Sequence, residues 1–370
     1  MYRFLYDNIV MKYLIILFAI FSFIFADCSG TPGNTSADSS GTEIEISAEE
    51  AEALAQAAAE EELQLFISQL DPNLPVTAFK EIWGYVVTGR ESFLTPNLPL
   101  TDIGYFSADV NVYGTIGTIP DRRNLPRHPA RVHLVVTCGS QSLTYFTLMP
   151  GSPQRNALIA DLIAATRNFD GLQIDFEYIP ARSREAFQSF LRELRAGLPA
   201  DKMFTVAYPA RTRRIDNDIF DYELILPYVD RILIMAYDEH WSTSRPGPVA
   251  SFGWCRNVAT YGMRTIGAEK LIMGLPLYGR AWVDVNHHRA LIYQTVASLY
   301  STMNSTEVRR ENTVPTFNYD VNVNVTVYYD DEFSLSAKMQ MYKSMNVEKI
   351  GFWRVSQETT RVWDVMQIER

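Results

Sequence analysis

The chain has 370 residues, of which 47% are hydrophobic and 21% are charged. This is the composition of an ordinary globular protein with a full apolar core. Its formal net charge of −10 at pH 7 leaves no broad basic field that would attract phosphates, which argues against a nucleic-acid-binding protein. A neutral or cationic substrate is easier to accommodate.

The first 28 residues are predicted to be an export signal. Residues 13–26 read YLIILFAIFSFIFA and follow Lys12, and this apolar run is too short for an ordinary membrane-spanning helix. Cys28 precedes a polar stretch, as in bacterial lipoproteins, although Asp27 stands where those signals carry a small residue. Lipid attachment at Cys28, with membrane anchoring, and cleavage after Ala26 both stay open. We expect an exported protein that is lipid-anchored in the cell envelope, or is otherwise periplasmic or secreted.

Two segments precede the main domain. Residues 29–43 are rich in Ser, Thr, Gly and Asn and are expected to form a flexible linker, because such a composition buries little apolar surface. Residues 44–79 are acidic and Ala-rich; Ser47 and Glu50 have capping-box spacing, and apolar residues recur at helical intervals from Leu63. We expect a helix that serves as a spacer or lies on the domain, rather than a partner-binding helix.

The remaining cysteines, Cys138 and Cys255, are expected to be buried thiols. No CxxC or HExxH spacing occurs, and the five histidines do not pair at metal-ligand intervals. We therefore expect neither a metal nor another cofactor.

From residue 80 onward, short apolar runs alternate with helical stretches and turn residues, which is the pattern of alternating strand and helix. Several runs are apolar nearly throughout, as expected for parallel strands that are buried on both faces. Eight such units suit an α/β fold, a (β/α)8 barrel over residues 80–370, with a polar insertion at about 283–329 between the last two strands. The predicted strands are 81–87, 103–110, 132–138, 171–178, 203–209, 231–237, 271–279 and 350–355.

The fourth predicted strand carries a dense group of polar side chains in the sequence FDGLQIDFEY at 169–178. Side chains alternate along a strand, so Gln173, Asp175 and Glu177 share one face and turn into the barrel and its mouth. Two carboxylates so close together are costly to bury unless they are paired or functional. Because such barrels carry their chemistry at the C-terminal ends of the strands, we favour a catalytic pair over a structural ion-pair network.

This strand resembles glycoside hydrolase family 18, the chitinase-like family, whose fourth strand has the pattern DGxDxDxE. Asp170, Gly171, Asp175 and Glu177 match that pattern, and Gln173 replaces its middle aspartate. The segment VYYDDEFSLSAKMQMYKSM after the insertion is similar to the branch that includes spore-cortex-lytic glucosaminidases. Further matches at strand ends imply substrate contacts at Tyr85, Met235, Tyr278, Arg280 and Trp353.

The resemblance implies a substrate-assisted mechanism that retains configuration. Glu177 would protonate the glycosidic oxygen while the carbonyl oxygen of the substrate's N-acetyl group attacks the anomeric carbon, and Glu177 would then activate water. Asp175 would stabilise the charged acetamido nitrogen. Tyr237 would donate to the acetamido carbonyl, and Asp238 would contact the same sugar.

Asp170 and Gln173 are expected to support the site. The amide of Gln173 can donate a hydrogen bond to Asp175 at every pH but cannot titrate, unlike the aspartate that the family has there. A second departure lies in the third strand, where the family commonly has Ser-x-Gly-Gly and this chain has VTCGSQS. In the family this serine supports the active site, and we do not predict such support from the third strand of this chain.

Two classes of function stay open. The first is a hydrolase of β-1,4-linked N-acetylglucosamine glycans, either chitin and its oligosaccharides or peptidoglycan. The second is a non-catalytic, lectin-like envelope protein of the same fold. Lectin-like members typically lose the residue that matches Glu177, and this chain keeps it, which favours the hydrolase. An unrelated barrel hydrolase would require the matching strand ends to be coincidental.

Overall fold

The computed structural model describes residue 57 and residues 74–284, 291–359 and 361–369. From residue 74 onward these belong to one compact unit, Ala55–Arg370, whereas a second unit, Met1–Leu54, lies outside the described residues. The predicted export signal, Cys28, the linker at 29–43 and most of the segment at 44–79 also lie outside them. Among the described residues, no helix is both long and apolar enough to cross a membrane.

Eight parallel strands close into a barrel in which each strand pairs with its neighbours in chain order and the last strand pairs with the first. This confirms the predicted fold and all eight predicted strand positions to within a few residues. The strands are β1 Glu81–Val87, β2 Asp102–Asp109, β3 Arg131–Thr137, β4 Gly171–Asp175, β5 Met203–Pro209, β6 Arg231–Met235, β7 Leu271–Pro276 and β8 Lys349–Trp353.

Both faces of the barrel strands are buried, which explains their nearly continuous apolar sequences. Alternate residues of each strand pack outward against the helices in one large core, as Ile82 and Val86 do on β1. The intervening residues point into the barrel, where a second apolar cluster fills the lumen. Its buried members are Trp83, Tyr85, Val135, Ala207, Leu233 and Ile272.

The helices cover only part of the outer face. No α-helix occurs in the fully described connections after β1, β2 and β5, so the prediction of eight complete strand–helix units is wrong at these places. The connection after β1 contains Pro96 and Pro99, and proline lacks the N–H that a helix interior needs. The helices are α1 Gln141–Leu148, α2 Pro153–Thr166, α3 Arg184–Gly197, α4 Phe252–Thr265, α5 Tyr293–Thr302 and α6 Glu332–Ser344.

The insertion lies between β7 and β8, as predicted, and begins a few residues earlier than 283. An antiparallel pair of strands, Arg280–Val283 with Val325–Tyr328, frames it. Between these strands lie α5 and a short hairpin of Arg309–Glu311 with Val314–Thr316. Just before the barrel begins, Thr77–Phe79 pairs in parallel with Met366–Ile368. The end of the segment at 44–79, which was predicted as a helix or spacer, is therefore a strand.

A network of charged side chains closes the N-terminal end of the barrel. Arg231 Nη2 lies 2.6 Å from Glu81 Oε1, and Arg131 Nε lies 2.8 Å from Asp102 Oδ1. The same Asp102 oxygen lies 2.7 Å from Nε2 of His133, and both side chains are fully buried. These pairings satisfy charges that would otherwise be costly to bury.

Gly171, at the start of β4, is required by close packing. A Cβ at this position would lie 2.4 Å from Nδ1 of His133 and 2.5 Å from the backbone oxygen of Met203. Neither neighbour can move freely, since the histidine ring stacks on Trp83 with centroids 4.4 Å apart. The glycine of the predicted DGxDxDxE pattern therefore has a packing role beneath the site.

Replacing Gly171 with alanine should lower the free energy of unfolding by roughly 1–3 kcal/mol or more, because the added methyl group overpacks the barrel floor. Urea denaturation of the purified variant measures this. Gly139→Ala is the matched control, since a Cβ there meets nothing within 4 Å. Equal stability of both variants would show that the packing of Gly171 against His133 and Met203 relaxes around the added methyl group.

Candidate active site

One pocket of about 510 Å³ opens at the C-terminal ends of the barrel strands, which is where (β/α)8 barrels carry their active sites. It brings together most of the residues that the sequence singled out. The predicted residues that line it are Asp175, Glu177, Met235, Tyr237, Asp238, Tyr278, Arg280 and Trp353.

The two carboxylic acids at and just beyond the end of β4, Asp175 and Glu177, have different surroundings. Asp175 is the last residue of the strand and is buried, with 7% of its surface exposed. Burial, followed by the charge of Glu177, raises the pKa of Asp175 from 3.8 to about 8. Glu177 is exposed as a residue, yet its carboxyl loses hydration among the pocket groups, and this, together with the charge of Asp238, raises its pKa. The site therefore favours retention of protons on both groups.

Asp238 is held in place by two other pocket residues. Its Oδ1 accepts hydrogen bonds from the Tyr278 hydroxyl at 2.5 Å and from Nε and Nη2 of Arg280 at 3.0 and 2.7 Å. Its backbone is left-handed, with φ of 57°, a conformation that Asp and Asn tolerate better than most residues. Tyr278 and Arg280, predicted as sugar contacts, therefore also fix a carboxylate beside Glu177.

Tyr237 lines the pocket and packs edge-on against Tyr278, with ring centroids 6.3 Å apart. Burial, followed by the electrostatic effects of Tyr85 and Asp175, raises the pKa of Tyr237 well above 10. Its hydroxyl therefore keeps its proton over the working pH range and can donate a hydrogen bond, as the predicted role requires.

The floor of the pocket is aromatic. Trp353 packs edge-on against Phe106 at 4.9 Å and tilted against Tyr85 at 5.5 Å between ring centroids. Tyr85 is only 2% exposed and is not among the described residues that line the pocket. The resemblance implied a substrate contact at Tyr85, whereas the structure encloses this side chain in the barrel, where it packs against Trp353.

The predicted hydrogen bond from Gln173 to Asp175 is wrong. Gln173 is fully buried, its Oε1 accepts from the Tyr85 hydroxyl at 2.5 Å, and its Nε2 donates to Oγ1 of Thr205 at 3.0 Å. Strand alternation does place Gln173 and Asp175 on the same face, but partners on β1 and β5 take both ends of the amide. Gln173 supports the layer below the pocket instead.

Asp170 does not reach the site. It precedes β4 at the opposite end of the barrel, where it accepts hydrogen bonds from Arg122 Nη2 at 2.7 Å and from the backbone N–H of Val132 at 2.8 Å. Its support is structural, because it ties β3 and a preceding turn to the start of β4.

The altered third strand also stays out of the pocket wall. Ser140 accepts from the backbone N–H of Leu143 and so caps α1, and Cys138 accepts from the Thr144 hydroxyl at 3.2 Å. Cys138 and Cys255 are both buried free thiols, as predicted. No group of three or more His, Cys, Asp and Glu side chains placed to hold a metal ion occurs among the described residues.

Several residues that line the pocket were not predicted from the sequence. Phe106 stands near the end of the second predicted strand, so inspection of every strand end would have found it. Trp254 lies on α4, and its approach to the pocket depends on how that helix packs, which the sequence does not encode locally. The other missed lining residues are Pro209, Ala210 and Gln357.

Known proteins resemble this chain in sequence and in fold. The sequence profile described as glycosyl hydrolases family 18 matches residues 104–358. YdhD of Bacillus subtilis (strain 168), whose name describes a sporulation-specific glycosylase, is 35% identical over 217 aligned residues, and the match covers 54% of this chain and 49% of that protein. The cortical fragment-lytic enzyme of the same organism is 24% identical over 287 residues, covering 71% of this chain and 66% of the relative.

The chain thus spans between about half and two thirds of the length of these relatives. Among solved structures, the spore cortex-lytic enzyme SleL of Bacillus cereus superimposes with a TM-score of 0.64 at 22% identity. That match covers 80% of this chain and 76% of SleL, and it bears on the fold. The profile covers well over half of the sequence and includes the fourth-strand pattern of the pocket. The chain belongs to glycosyl hydrolases family 18.

Proposed function

We propose that the chain is a retaining glycoside hydrolase that cleaves β-1,4-linked N-acetylglucosamine glycans with help from the substrate's own acetamido group. The observation that carries the proposal is that Asp175 and Glu177 line one pocket together with Trp353, with Glu177 near enough to raise the pKa of Asp175. Two carboxyl groups with raised pKa values in a barrel mouth are typical of acid–base sites. Relatives named as cortical fragment-lytic enzyme and class V chitinase support a glycan substrate.

In the first step, the carbonyl oxygen of the acetamido group would attack the anomeric carbon. The bond to the leaving sugar breaks as Glu177 gives its proton to the glycosidic oxygen. The product is a cyclic oxazolinium cation, whose N–H would donate to Asp175. Tyr237 would orient the attacking carbonyl through its hydroxyl proton.

In the second step, water would attack the anomeric carbon and pass a proton to Glu177. The oxazolinium ring opens, the acetamido group is restored, and Glu177 regains the proton that it gave away. Two displacements at one carbon retain its configuration. Asp238, held by Tyr278 and Arg280, would keep Glu177 protonated until a leaving group arrives, because its charge disfavours a second anion nearby.

Analysis of the reaction products can distinguish chitin from peptidoglycan as the substrate. Both glycans carry the N-acetylated sugar that the mechanism needs, so the pocket chemistry alone does not separate them. Mass spectrometry of products from purified peptidoglycan and from chitin oligomers, digested in parallel, would identify the preferred glycan and the bond that is cut.

Glu177→Gln should lower turnover of 4-nitrophenyl N,N′-diacetylchitobioside by roughly 10²- to 10⁴-fold, because the general acid is lost while the shape of the side chain is kept. Oligosaccharide binding, measured by calorimetry, should persist. Glu269→Gln is the control, since this exposed residue lies at the opposite end of the barrel. Binding without turnover by the wild-type protein would instead support a lectin-like function, and near wild-type kcat in Glu177→Gln would overturn the acid role.

Asp175→Asn should stabilise the fold at alkaline pH. Because the pKa of Asp175 is raised to about 8 in the folded state, the unfolded chain gives up this proton more readily, and stability falls as pH rises from about 4 through 8. The uncharged asparagine removes that loss. Urea denaturation should show little difference from wild type at pH 4 and a gain of at least about 1 kcal/mol at pH 9.

The control for this measurement is Asp216→Asn, which changes an exposed carboxyl group and should leave the pH dependence of stability as it is in the wild type. A stability difference between Asp175→Asn and wild type that is equal at pH 4 and pH 9 would show that folding does not change the pKa of Asp175, and it would contradict the raised value.

A further inference from the structure

Gln173 is fixed from both ends in a layer that the chemistry does not touch. The Tyr85 hydroxyl donates to its Oε1 at 2.5 Å, and its Nε2 donates to Thr205 Oγ1 at 3.0 Å. Gln173 and Thr205 are fully buried, and Tyr85 is nearly so. Thr205 lies directly beside Gln173 in the register of β4 with β5. The amide is therefore held towards β5, away from the end of its own strand.

Asp175, two residues further along β4, has a buried oxygen that lacks a hydrogen-bond partner. Its Oδ1 is buried and has no hydrogen-bond donor among the described residues. Buried polar atoms are nearly always paired, so such an exception calls for a reason. A glutamine amide on the same strand face could supply a donor, and the structure turns it elsewhere.

We propose that Thr205 is a positioning residue: it holds the amide of Gln173 towards β5 and so keeps the buried oxygen of Asp175 free for a donor that the ligand supplies. This rests on the proposed function, in which an acetamido N–H meets Asp175. The unpaired oxygen makes the site selective, because a sugar without that N–H would leave a buried acceptor unsatisfied and would bind more weakly. Thr205 would thus act on the reaction only through Gln173.

Other titratable groups around Asp175 set the background for this effect. Glu177 lies two residues beyond Asp175, just after the end of β4, Tyr85 faces it from β1, and Tyr237 faces it from just after the end of β6. Asp238 acts on Glu177. A change at Thr205 leaves Glu177, Tyr237 and Asp238 unaltered and reaches Tyr85 only through the amide of Gln173. A shift in the titration of Asp175 would therefore report that amide together with its Tyr85 partner.

The test is the titration of the Asp175 carboxyl in the free protein, followed by ¹³C NMR and assigned by the signal that is lost in Asp175→Asn. In Thr205→Val, which keeps the shape and removes the hydroxyl, Nε2 of Gln173 loses its acceptor. The freed amide should turn to Oδ1 and stabilise the carboxylate. We expect the Asp175 titration to move down by about one pH unit, and the alkaline limb of kcat/KM to move in the same direction.

Thr205→Ser keeps the hydroxyl and should titrate like the wild type. In a Gln173→Met background, adding Thr205→Val should leave the titration of Asp175 where it is, because no amide remains to turn. Thr205→Ala also removes the hydroxyl and replaces Thr205→Val if the latter does not fold. Coincident titrations of wild type and Thr205→Val, or a shift that persists in the Gln173→Met background, would overturn the proposal.

This titration needs no substrate. Absence of turnover in the wild type would therefore contradict the proposed function and leave the positioning role of Thr205 to be decided by NMR. A shifted titration in an active enzyme supports both proposals. An unshifted titration in an active enzyme removes only the role of Thr205.

Discussion

The burial of Asp175 beside Glu177 is the constraint on which the rest of the site depends. An acid that is 7% exposed at the end of a central strand loses most of its hydration, and a second acid two residues later adds electrostatic repulsion. A fold tolerates this only if the carboxyl keeps its proton or receives a cationic partner. The proposed oxazolinium intermediate is such a partner, so the same burial that destabilises the carboxylate in the free protein would favour the intermediate.

The barrel imposes this arrangement by geometry. Closure of eight parallel strands leaves alternate residues of β4 no direction other than the lumen, where Gln173 is fully enclosed and Asp175 reaches the mouth. Gly171 allows β4 to approach His133 and the backbone of β5. At the top, Arg280 neutralises Asp238 in part, and Tyr278 and Arg280 together fix its position. Rigid strands below and paired side chains above preorganise the pocket before a ligand binds.

Local sequence patterns were sufficient to predict the barrel strands and much of the site. Continuous apolar runs predicted the strands because both faces of a parallel barrel are buried, and strand alternation placed Gln173 with Asp175. The predictions that failed concern contacts between residues that are distant in the chain. The partner of Gln173 is Thr205, and the choice between Thr205 and Asp175 is set by the register of β4 with β5, which no local pattern encodes.

The roles of Tyr85 and Asp170 also depend on contacts that are distant in the chain. Family patterns named both, but the patterns do not distinguish a residue that touches the ligand from one that supports the pocket or the strand start. Tyr85 packs under Trp353, and Asp170 ties the N-terminal end of β4 through Arg122 and Val132. Their exposure and depth follow from the packing of the whole barrel.

The central claim, catalysis by the substrate's own acetamido group beside Asp175, predicts the stereochemistry of the first product. Proton NMR of a chitin oligosaccharide digest, recorded before mutarotation equilibrates the anomers, gives this directly. Two successive displacements at the anomeric carbon predict that the new reducing end appears first as the β anomer. Initial formation of the α anomer would mean a single direct attack by water, and it would contradict the role of the acetamido group and of Asp175.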